Sequence, residues 1–275
     1  MTAERAEPAF RRVLVAFDPS PQGRALLELA AELAESFGTP LSGLYISDEA
    51  MISYAASPLA NEVTLGTAQL RALSSDQMRA YYRVQSGLAR RAVEGLRSRR
   101  HLECSFRSEQ GGVEHCLEIC ASESDLLLLS PRLGPAFDPR RSTARQSPLA
   151  RSLLGIFEPA RRRAAAPRQW IQVVAGGRER LAASLDIAAR LAARRKQGLS
   201  VAITAATEDP ELERGVRQAL PETVELRSVF AAAPDALLDR LRRDLPDLVV
   251  LGPEVPPSLR QGLARLGLPL LELSR

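Results

Sequence analysis

Histidine, cysteine and aromatic residues are scarce in this sequence, and their scarcity limits the chemistry that it predicts. The 275 residues include two histidines, three cysteines and an aromatic fraction of only 4%. A Ser-His-Asp triad therefore has little material, and no G-x-S-x-G nucleophile motif occurs, so we predict no catalytic residues. With so few aromatic side chains, the core has to be built from Leu, Val, Ile and Ala.

Long apolar runs and a strong charge excess are also missing. No run is long enough for a transmembrane helix and the N-terminal MTAERAEPAF has no apolar core, so we expect a cytoplasmic protein without membrane insertion. In that compartment Cys104, Cys116 and Cys120 stay reduced, and their odd number gives no disulfide framework. The net charge of +4 is small, and no aromatic-studded basic face accompanies the arginines, so we predict no nucleic-acid partner.

What the sequence does contain is a repeat. Residues 13–46 and 171–203 each read as a short apolar run, a turn of small residues, an Ala/Leu-rich amphipathic helix and a second apolar run. This order is typical of a βαβ unit, so the repeat predicts two similar α/β domains in tandem, with parallel sheets covered by helices. We place the first domain at residues 1–160, with a long insertion at 47–75, and a more compact second domain at 168–275.

The remaining elements alternate in the same way. In the first half the pattern predicts strands at 13–17, 41–46, 102–107 and 125–130, and helices at 20–37, 75–99 and 113–122. In the second half it predicts strands at 170–174, 199–205, 224–230, 247–251 and 269–273, and helices at 180–196, 210–219, 234–245 and 258–266. The Arg- and Pro-rich segment 131–168 predicts a linker with a helix near 148–157.

Four motifs resemble the universal stress protein family in its tandem form. They are VLVAFDPS before the first helix, SFRSEQGG before a later helix, and the strands DLLLLS and DLVVLG. The resemblance implies two Rossmann-like domains of the adenine nucleotide alpha hydrolase type, in a stress-associated regulatory protein rather than an enzyme. It also implies a fifth strand that ends each domain and makes a dimer contact.

That fifth strand is expected to differ between the halves. Residues 269–273 supply it in the second half, whereas residues 156–167 in the first half are poor strand material. We therefore expect the first domain to lack it. The second domain's edge then pairs elsewhere, as an intramolecular pseudo-dimer or across a homodimer.

The resemblance also implies where a nucleotide would bind. Family members that bind ATP use an Asp after strand one and the pattern G-x2-G-x9-G-[S/T] after strand four. Asp18 stands at the expected place, but Gly134 is the only glycine in the stretch SPRLGPAFDPRRSTAR that follows strand four of the first half. In the second half Gly176 or Gly177 replaces the Asp, and the prolines and Glu254 of GPEVPPS disfavour phosphate. The motif is therefore degenerate in both halves, and more so in the second.

If the first domain does bind ATP or AMP, the ligand is expected at the carboxyl ends of its strands. The candidate residues are Asp18, the backbone at Ile46, and the loop residues Arg132, Gly134, Arg140, Arg141, Ser142 and Thr143. Asp18 has two open interpretations, either a hydrogen-bond acceptor for adenosine or a turn residue. The arginines could hold phosphates in place of backbone amides, although a solvated basic linker is the favoured interpretation.

The cysteines on the predicted helix at 113–122 point to packing rather than to metal. Cys116 and Cys120 share a face, while His115 lies about 100° around the helix from Cys116. We predict small buried residues and no metal site.

Three function classes remain. The first is a regulatory protein that acts by binding an unknown protein partner, the second an adenine-nucleotide sensor that uses domain one alone, and the third an enzyme of the wider fold group. The degenerate glycine motif favours the first.

Overall fold

The structure, a computed structural model, describes residues 10–58, 60–63, 70–121, 126–130, 133, 153–160, 169–177, 181–204 and 210–274. In the first half the elements are β1 (Val13–Ala16), α1 (Pro21–Phe37), β2 (Leu41–Asp48), α2 (Glu49–Ala55), β3 (Asn61–Val63), β4 (Leu70–Ala72), α3 (Ser75–Arg100), β5 (Cys104–Gly111), α4 (Val113–Ala121), β6 (Leu126–Leu129) and β7 (Leu153–Glu158). In the second half they are β8 (Trp170–Ala175), α5 (Leu181–Arg195), β9 (Gly198–Ile203), α6 (Pro210–Ala219), β10 (Leu226–Ala231), α7 (Pro234–Arg243), β11 (Leu248–Leu251), α8 (Pro257–Arg265) and β12 (Leu270–Ser274).

Both halves contribute to one continuous sheet. In the described part of the chain the strand order is β10-β9-β8-β11-β12-β7-β6-β1-β2-β5. Within this sheet each half therefore has the order 3-2-1-4-5, and every pairing between strands of the same half is parallel. The halves meet where β12 pairs antiparallel with β7. The predicted α/β fold with parallel strands is confirmed, and the same topology occurs twice.

The prediction that the first half lacks a fifth strand is wrong. Residues 153–158 form β7, which lies between β6 and β12, so the predicted helix near 148–157 is also wrong over its described part. The run Leu153–Phe157 is buried on both faces of the sheet and shows no alternation, so its pattern cannot be told from that of a buried helix. A Cβ at Gly155 would lie 2.5 Å from the Leu128 side chain, which shows how closely the strands pack here.

Helices cover both faces of the sheet. Apolar residues of α1, α3, α5 and α6 pack on one face, in a core that runs continuously through both halves. On the other face α4 packs over the first half, while α7 and α8 pack over the second. The cores follow from alternation along the strands. In β1, for example, Val13 and Val15 face the α1 side, whereas Leu14 and Ala16 face α4.

A network of charges lies along the contact between α1 and α5. Glu35 of α1 binds Arg100 of α3, with a nitrogen–oxygen distance of 3.1 Å, and also binds Arg194 of α5. One turn earlier, Glu32 accepts a hydrogen bond of 2.8 Å from Arg195. Hydrogen-bonded charges of both halves therefore reinforce the apolar junction between them.

The insertion at 47–75 contains regular structure. Residue Asp48 ends β2 and caps α2, which packs against α3 and β5. The short strands β3 and β4 then pair as an antiparallel hairpin before α3 begins. The insertion thereby lies near the carboxyl end of the first half's strands.

Candidate functional site

The strand order fixes where a ligand site can form in each half. In an open parallel sheet, a crevice opens at the carboxyl ends of the strands where the chain order reverses, between strands one and four. These positions lie after β1 and β6 in the first half and after β8 and β11 in the second. The two crevices differ in the structure.

The first half has a cavity of about 320 Å³ beside this point, which we name the aromatic cleft. It lies over the ends of β1 and β2 and under α2 and the start of α3. Ligand pockets in proteins begin at about 300 Å³, so the cleft has the size of a small-molecule site. It is lined by Phe17, Asp18, Tyr45, Ile46, Asp48, Met51, Met78, Tyr81, Tyr82 and Leu133.

Asp18 both shapes the turn after β1 and lines the aromatic cleft. Its Oδ1 accepts a hydrogen bond of 2.7 Å from the Ser20 amide, and Ser20 Oγ in turn accepts one of 3.1 Å from the Gly23 amide. Ser20 thus caps α1, as its position in the sequence predicts. The other carboxylate oxygen of Asp18 has no hydrogen bond to the described residues. The turn role of Asp18 is therefore compatible with a second role toward a ligand.

Ile46 contributes to the aromatic cleft through its backbone. Its side chain is buried in the core on the α4 face, whereas the cleft lies on the side of α3. Because strand residues alternate in direction, this leaves the main chain of Ile46 for the cavity. Asp18 and Ile46, both candidates from the sequence, therefore line the same cavity.

Asp48 is a second acidic residue that borders the aromatic cleft, and sequence reasoning missed it. The sequence suggests a carboxylate pair with Glu49 in a loop, but Asp48 ends β2 and is only 6% exposed. Its Oδ1 accepts a hydrogen bond of 2.9 Å from the Ala50 amide, which caps α2. The available signal was the position of Asp48 directly after the apolar run of β2, where an Asp can cap a following helix.

Tyrosines form one wall of the aromatic cleft. The rings of Tyr45 and Tyr82 meet edge to face with centroids 6.4 Å apart, and Tyr81 lies 5.8 Å from Tyr82. Burial, followed by the neighbouring tyrosines and Asp18, raises the pKa of Tyr45 well above its usual range. Burial also raises the pKa of Tyr82, and the charge of Asp48 adds to this. Both phenols therefore stay protonated and can donate hydrogen bonds at neutral pH.

The remaining sequence candidates lie outside the described residues. These are Arg132, Gly134, Arg140, Arg141, Ser142 and Thr143. Within this segment only Leu133 is described, and it lines the aromatic cleft. Their proposed contact with phosphate stays a prediction.

Backbone atoms meet across the crevice of the second half. A Cβ placed on Gly176, at the end of β8, would lie 2.5 Å from the carbonyl oxygen of Glu254. The Gly176 amide donates to the Pro253 carbonyl oxygen at 3.4 Å, and Glu254 adopts a left-handed φ of 64°. The segment after β11 thus folds directly over the end of β8. This contact leaves no room for a ligand between these two backbones.

Cys116 and Cys120 are both buried in the core beneath α4, as the helical spacing predicts. Burial raises the pKa of the Cys116 thiol, which disfavours its thiolate form. Among the described residues, no group of three or more His, Cys, Asp or Glu side chains could hold a metal ion.

The part of the chain that the structure describes also contains no helix with the length and apolarity needed to cross a bilayer.

Comparison with known proteins relates the first half to a family. Residues 9–112 match the model of the Universal stress protein family. They therefore form one domain of that family, and they include β1, β2 and the insertion that covers the aromatic cleft. A comparison with curated protein sequences finds no match.

Solved structures share the fold along nearly the whole chain. A universal stress protein from Archaeoglobus fulgidus DSM 4304 matches with a TM-score of 0.60 and 11% identity, covering 96% of each chain. A functionally unknown protein from Pseudomonas aeruginosa PAO1 matches with a TM-score of 0.52 and 14% identity, covering 97% of this chain and 93% of its own. At these identities the likeness concerns the fold.

Proposed function

We propose that the protein is a regulator of the stress response in which the two halves have different tasks. Its first domain, residues 1–160, binds a small ligand in the aromatic cleft, and its second, residues 168–275, is a tandem copy that has lost its site. The family match of residues 9–112 supports the general class. The open cleft beside the switch point of the first half, and the close backbone contact at the switch point of the second half, support the division of tasks.

The ligand that suits the aromatic cleft best is an adenine nucleoside or nucleotide such as AMP or ATP. The Asp18 carboxylate is an acceptor that fits the hydroxyl groups of a ribose or the amino group of adenine, and Asp48 borders the same cavity. The tyrosine and methionine side chains fit a flat aromatic base. The combination of the Asp18 carboxylate with an aromatic wall in one cavity is the observation that carries the proposal.

Arginine and lysine are missing from the described lining of the aromatic cleft. A phosphate on the ligand would therefore have to extend beyond it, toward residues 131–143. Arg132, Arg140 and Arg141 are the candidates to meet it, with Ser142, Thr143 and the backbone of Gly134. The proposal includes no catalytic step.

The experiment is a calorimetric titration of the full chain with adenosine, AMP and ATP. Asp18→Asn keeps an acceptor for the Ser20 amide and so preserves the turn, but it removes the carboxylate charge. Asp18→Ala removes both the acceptor and the charge. Asp235→Asn, on an exposed residue of α7, is the matched control.

We expect saturable binding, weakened about tenfold or more in Asp18→Asn and unchanged in Asp235→Asn, because a hydrogen bond to a charged group contributes roughly 1.5–3 kcal/mol. Normal binding in Asp18→Asn would assign that residue to the turn alone. The absence of binding by any of the three compounds at millimolar concentration would refute the ligand and favour the second candidate.

That second candidate is regulation through a protein partner. Tyr81, Val84 and Leu88 follow one another at helical spacing on α3 and are 56%, 59% and 41% exposed. An exposed apolar stripe of this kind is typical of an interaction surface. A partner retained by the wild-type protein on a column, and lost with Val84→Glu, would support this function, and equal retention by both would contradict it.

A further inference from the structure

A second cavity lies beside the aromatic cleft, on the other side of Tyr82. It has a volume of about 390 Å³ and lies between α3 and the ends of β2 and β5. We name it the edge chamber, because β5 is an edge strand of the sheet. Its lining includes Ser47, Arg79, Tyr82, Arg83, Ser86, Ser108 and Gln110.

Two arginines of α3 line the edge chamber. Arg79 and Arg83 are four residues apart, so both point to the same side of the helix. Arg79 has a loose ion pair of 3.6 Å with Asp76, whose side chain is 93% exposed. Arg83 has no ion-pair partner among the described residues. The chamber is thus lined by one guanidinium without an ion-pair partner among the described residues and by a second whose exposed ion pair is weak.

The strands add hydroxyl and amide groups on the opposite wall. In the parallel pairing of β2 with β5, Ser47 lies beside Gln110 and Tyr45 beside Ser108. Tyr45 faces the core on the α3 side, so Ser108 faces α3 as well. The Ser86 hydroxyl of α3 donates to Ser108 Oγ at 2.9 Å, which leaves the Ser108 hydrogen free to donate into the chamber.

Glu109 also borders the edge chamber, but its carboxylate points to the other face of the sheet. Side chains alternate along a strand, so Glu109 points away from its neighbours Ser108 and Gln110. Glu109 pairs with Ile46 of β2, whose side chain lies in the core on the α4 face. The side chains that face the chamber therefore carry two positive charges and hydrogen-bond donors.

We propose that the edge chamber is an oxyanion site that binds the phosphate or carboxylate group of a small molecule. Guanidinium groups bind both groups through paired hydrogen bonds, and serine hydroxyls and the Gln110 amide supply further donors. The chamber is chemically the opposite of the aromatic cleft, which presents the Asp18 carboxylate and phenols. This inference goes beyond the proposed function and does not require a ligand in the cleft.

The test is a calorimetric titration of the full chain with pyrophosphate and, separately, with citrate, at constant ionic strength. Arg83→Gln removes the unpaired charge of the chamber. Arg91→Gln, an exposed arginine two turns further along α3, is the matched control for loss of one positive charge. Thermal melts of both variants check that they fold.

We expect saturable binding by the wild-type protein, weakened about tenfold in Arg83→Gln and unchanged in Arg91→Gln. A preference for pyrophosphate would assign the site to phosphate, and a preference for citrate to carboxylate. Binding that survives in Arg83→Gln, or that weakens equally in Arg91→Gln, would overturn the proposal. The absence of saturable binding of either anion would overturn it as well.

The two sites can be tested independently. Asp18→Asn should leave pyrophosphate binding unchanged, because Asp18 lies in the aromatic cleft and not in the edge chamber. Arg140→Gln tests the arginine-rich segment as an alternative binding place. Loss of binding in Arg140→Gln, with normal binding in Arg83→Gln, would refute the edge chamber and leave the proposal for the cleft unaffected.

Discussion

The sharpest prediction concerns two glycines in helices, Gly23 and Gly95, whose replacement by alanine should have effects of opposite sign. Gly23 lies in the first turn of α1, where an added Cβ would lie 1.8 Å from the carbonyl oxygen of Asp18. Gly95 lies inside α3, where an added Cβ would meet nothing within 4 Å. Helix propensity favours alanine at both positions, so the difference between them measures the packing of the turn after β1.

The cost at Gly23 can be worked out from the contact. The Cβ and the Asp18 oxygen would have to separate by roughly 1.6 Å to reach ordinary van der Waals distance. Such overpacking costs about 1–3 kcal/mol, and loss of the hydrogen bond from the Gly23 amide to Ser20 costs about 1 kcal/mol more. The helical gain of alanine offsets about 1 kcal/mol, which leaves a net loss of about 2 kcal/mol.

Thermal unfolding of the full chain measures both variants. A change of 1 kcal/mol shifts the melting temperature by roughly 2–4 °C in a chain of this size, so we expect Gly23→Ala to melt about 4–8 °C lower. Gly95→Ala should melt about 1–4 °C higher, since it gains about 0.5–1 kcal/mol. Gly23→Ala should also lower the affinity for any ligand that Asp18 binds, because the turn that holds Asp18 has to move. A Gly23→Ala protein as stable as Gly95→Ala would refute the turn geometry.

Two further predictions concern charge and ionisation. Glu35 and Glu28 each bind two arginines, but their side chains are 13% and 39% exposed. Glu35→Gln should therefore lower the free energy of unfolding by about 1–3 kcal/mol, whereas Glu28→Gln should lower it by at most about 1 kcal/mol. Urea unfolding at low salt measures both, and an equal loss in the two variants would contradict the assigned burial. Burial raises the pKa of Tyr45 in the folded state above the ordinary 10.0. The contribution of this phenol to the free energy of unfolding is therefore complete below pH 10. It falls as the pH rises further, because the tyrosine of the unfolded chain ionises first. Tyr45→Phe should therefore reduce the loss of stability between about pH 9 and 11, and an identical pH profile in the two proteins would argue against a buried phenol.

The repeat was predictable because its information is local. Each βαβ unit combines an apolar run, a turn with Ser or Gly and a helix with regular apolar spacing, and these signals lie within about 35 residues of one another. The α/β fold and nearly all element positions follow from them. Strand β7 was missed because its run Leu153–Phe157 has neither alternation nor a turn signal before it, and an arginine-rich segment follows.

The aromatic cleft was only partly predictable. Asp18 and Ile46 follow from the position of strand ends in the fold, which the sequence indicates. Tyr45 and Tyr82 are 37 residues apart, and they meet only because α3 returns over the end of β2. This contact depends on the path of the insertion, and the sequence of the insertion has no regular hydrophobic pattern from which that path could be predicted.

In the second crevice the sequence and the structure draw attention to different features of the same residues. The prolines and Glu254 after β11 indicate a site that repels phosphate. In the structure the backbone at Glu254 lies against Gly176. The glycine that replaces the Asp thus permits the contact, which the sequence could not show because it joins segments 78 residues apart.

The antiparallel pairing of β7 with β12 has a consequence for how the halves respond to dilution. Both strands belong to one chain, and only the short connection from Glu158 to Trp170 separates the end of β7 from the start of β8. A tether of this length holds the two edges at a high effective concentration, which does not depend on how much protein is present. Weakening this junction should therefore appear as a lower melting temperature that is the same at every protein concentration, and not as dissociation into halves.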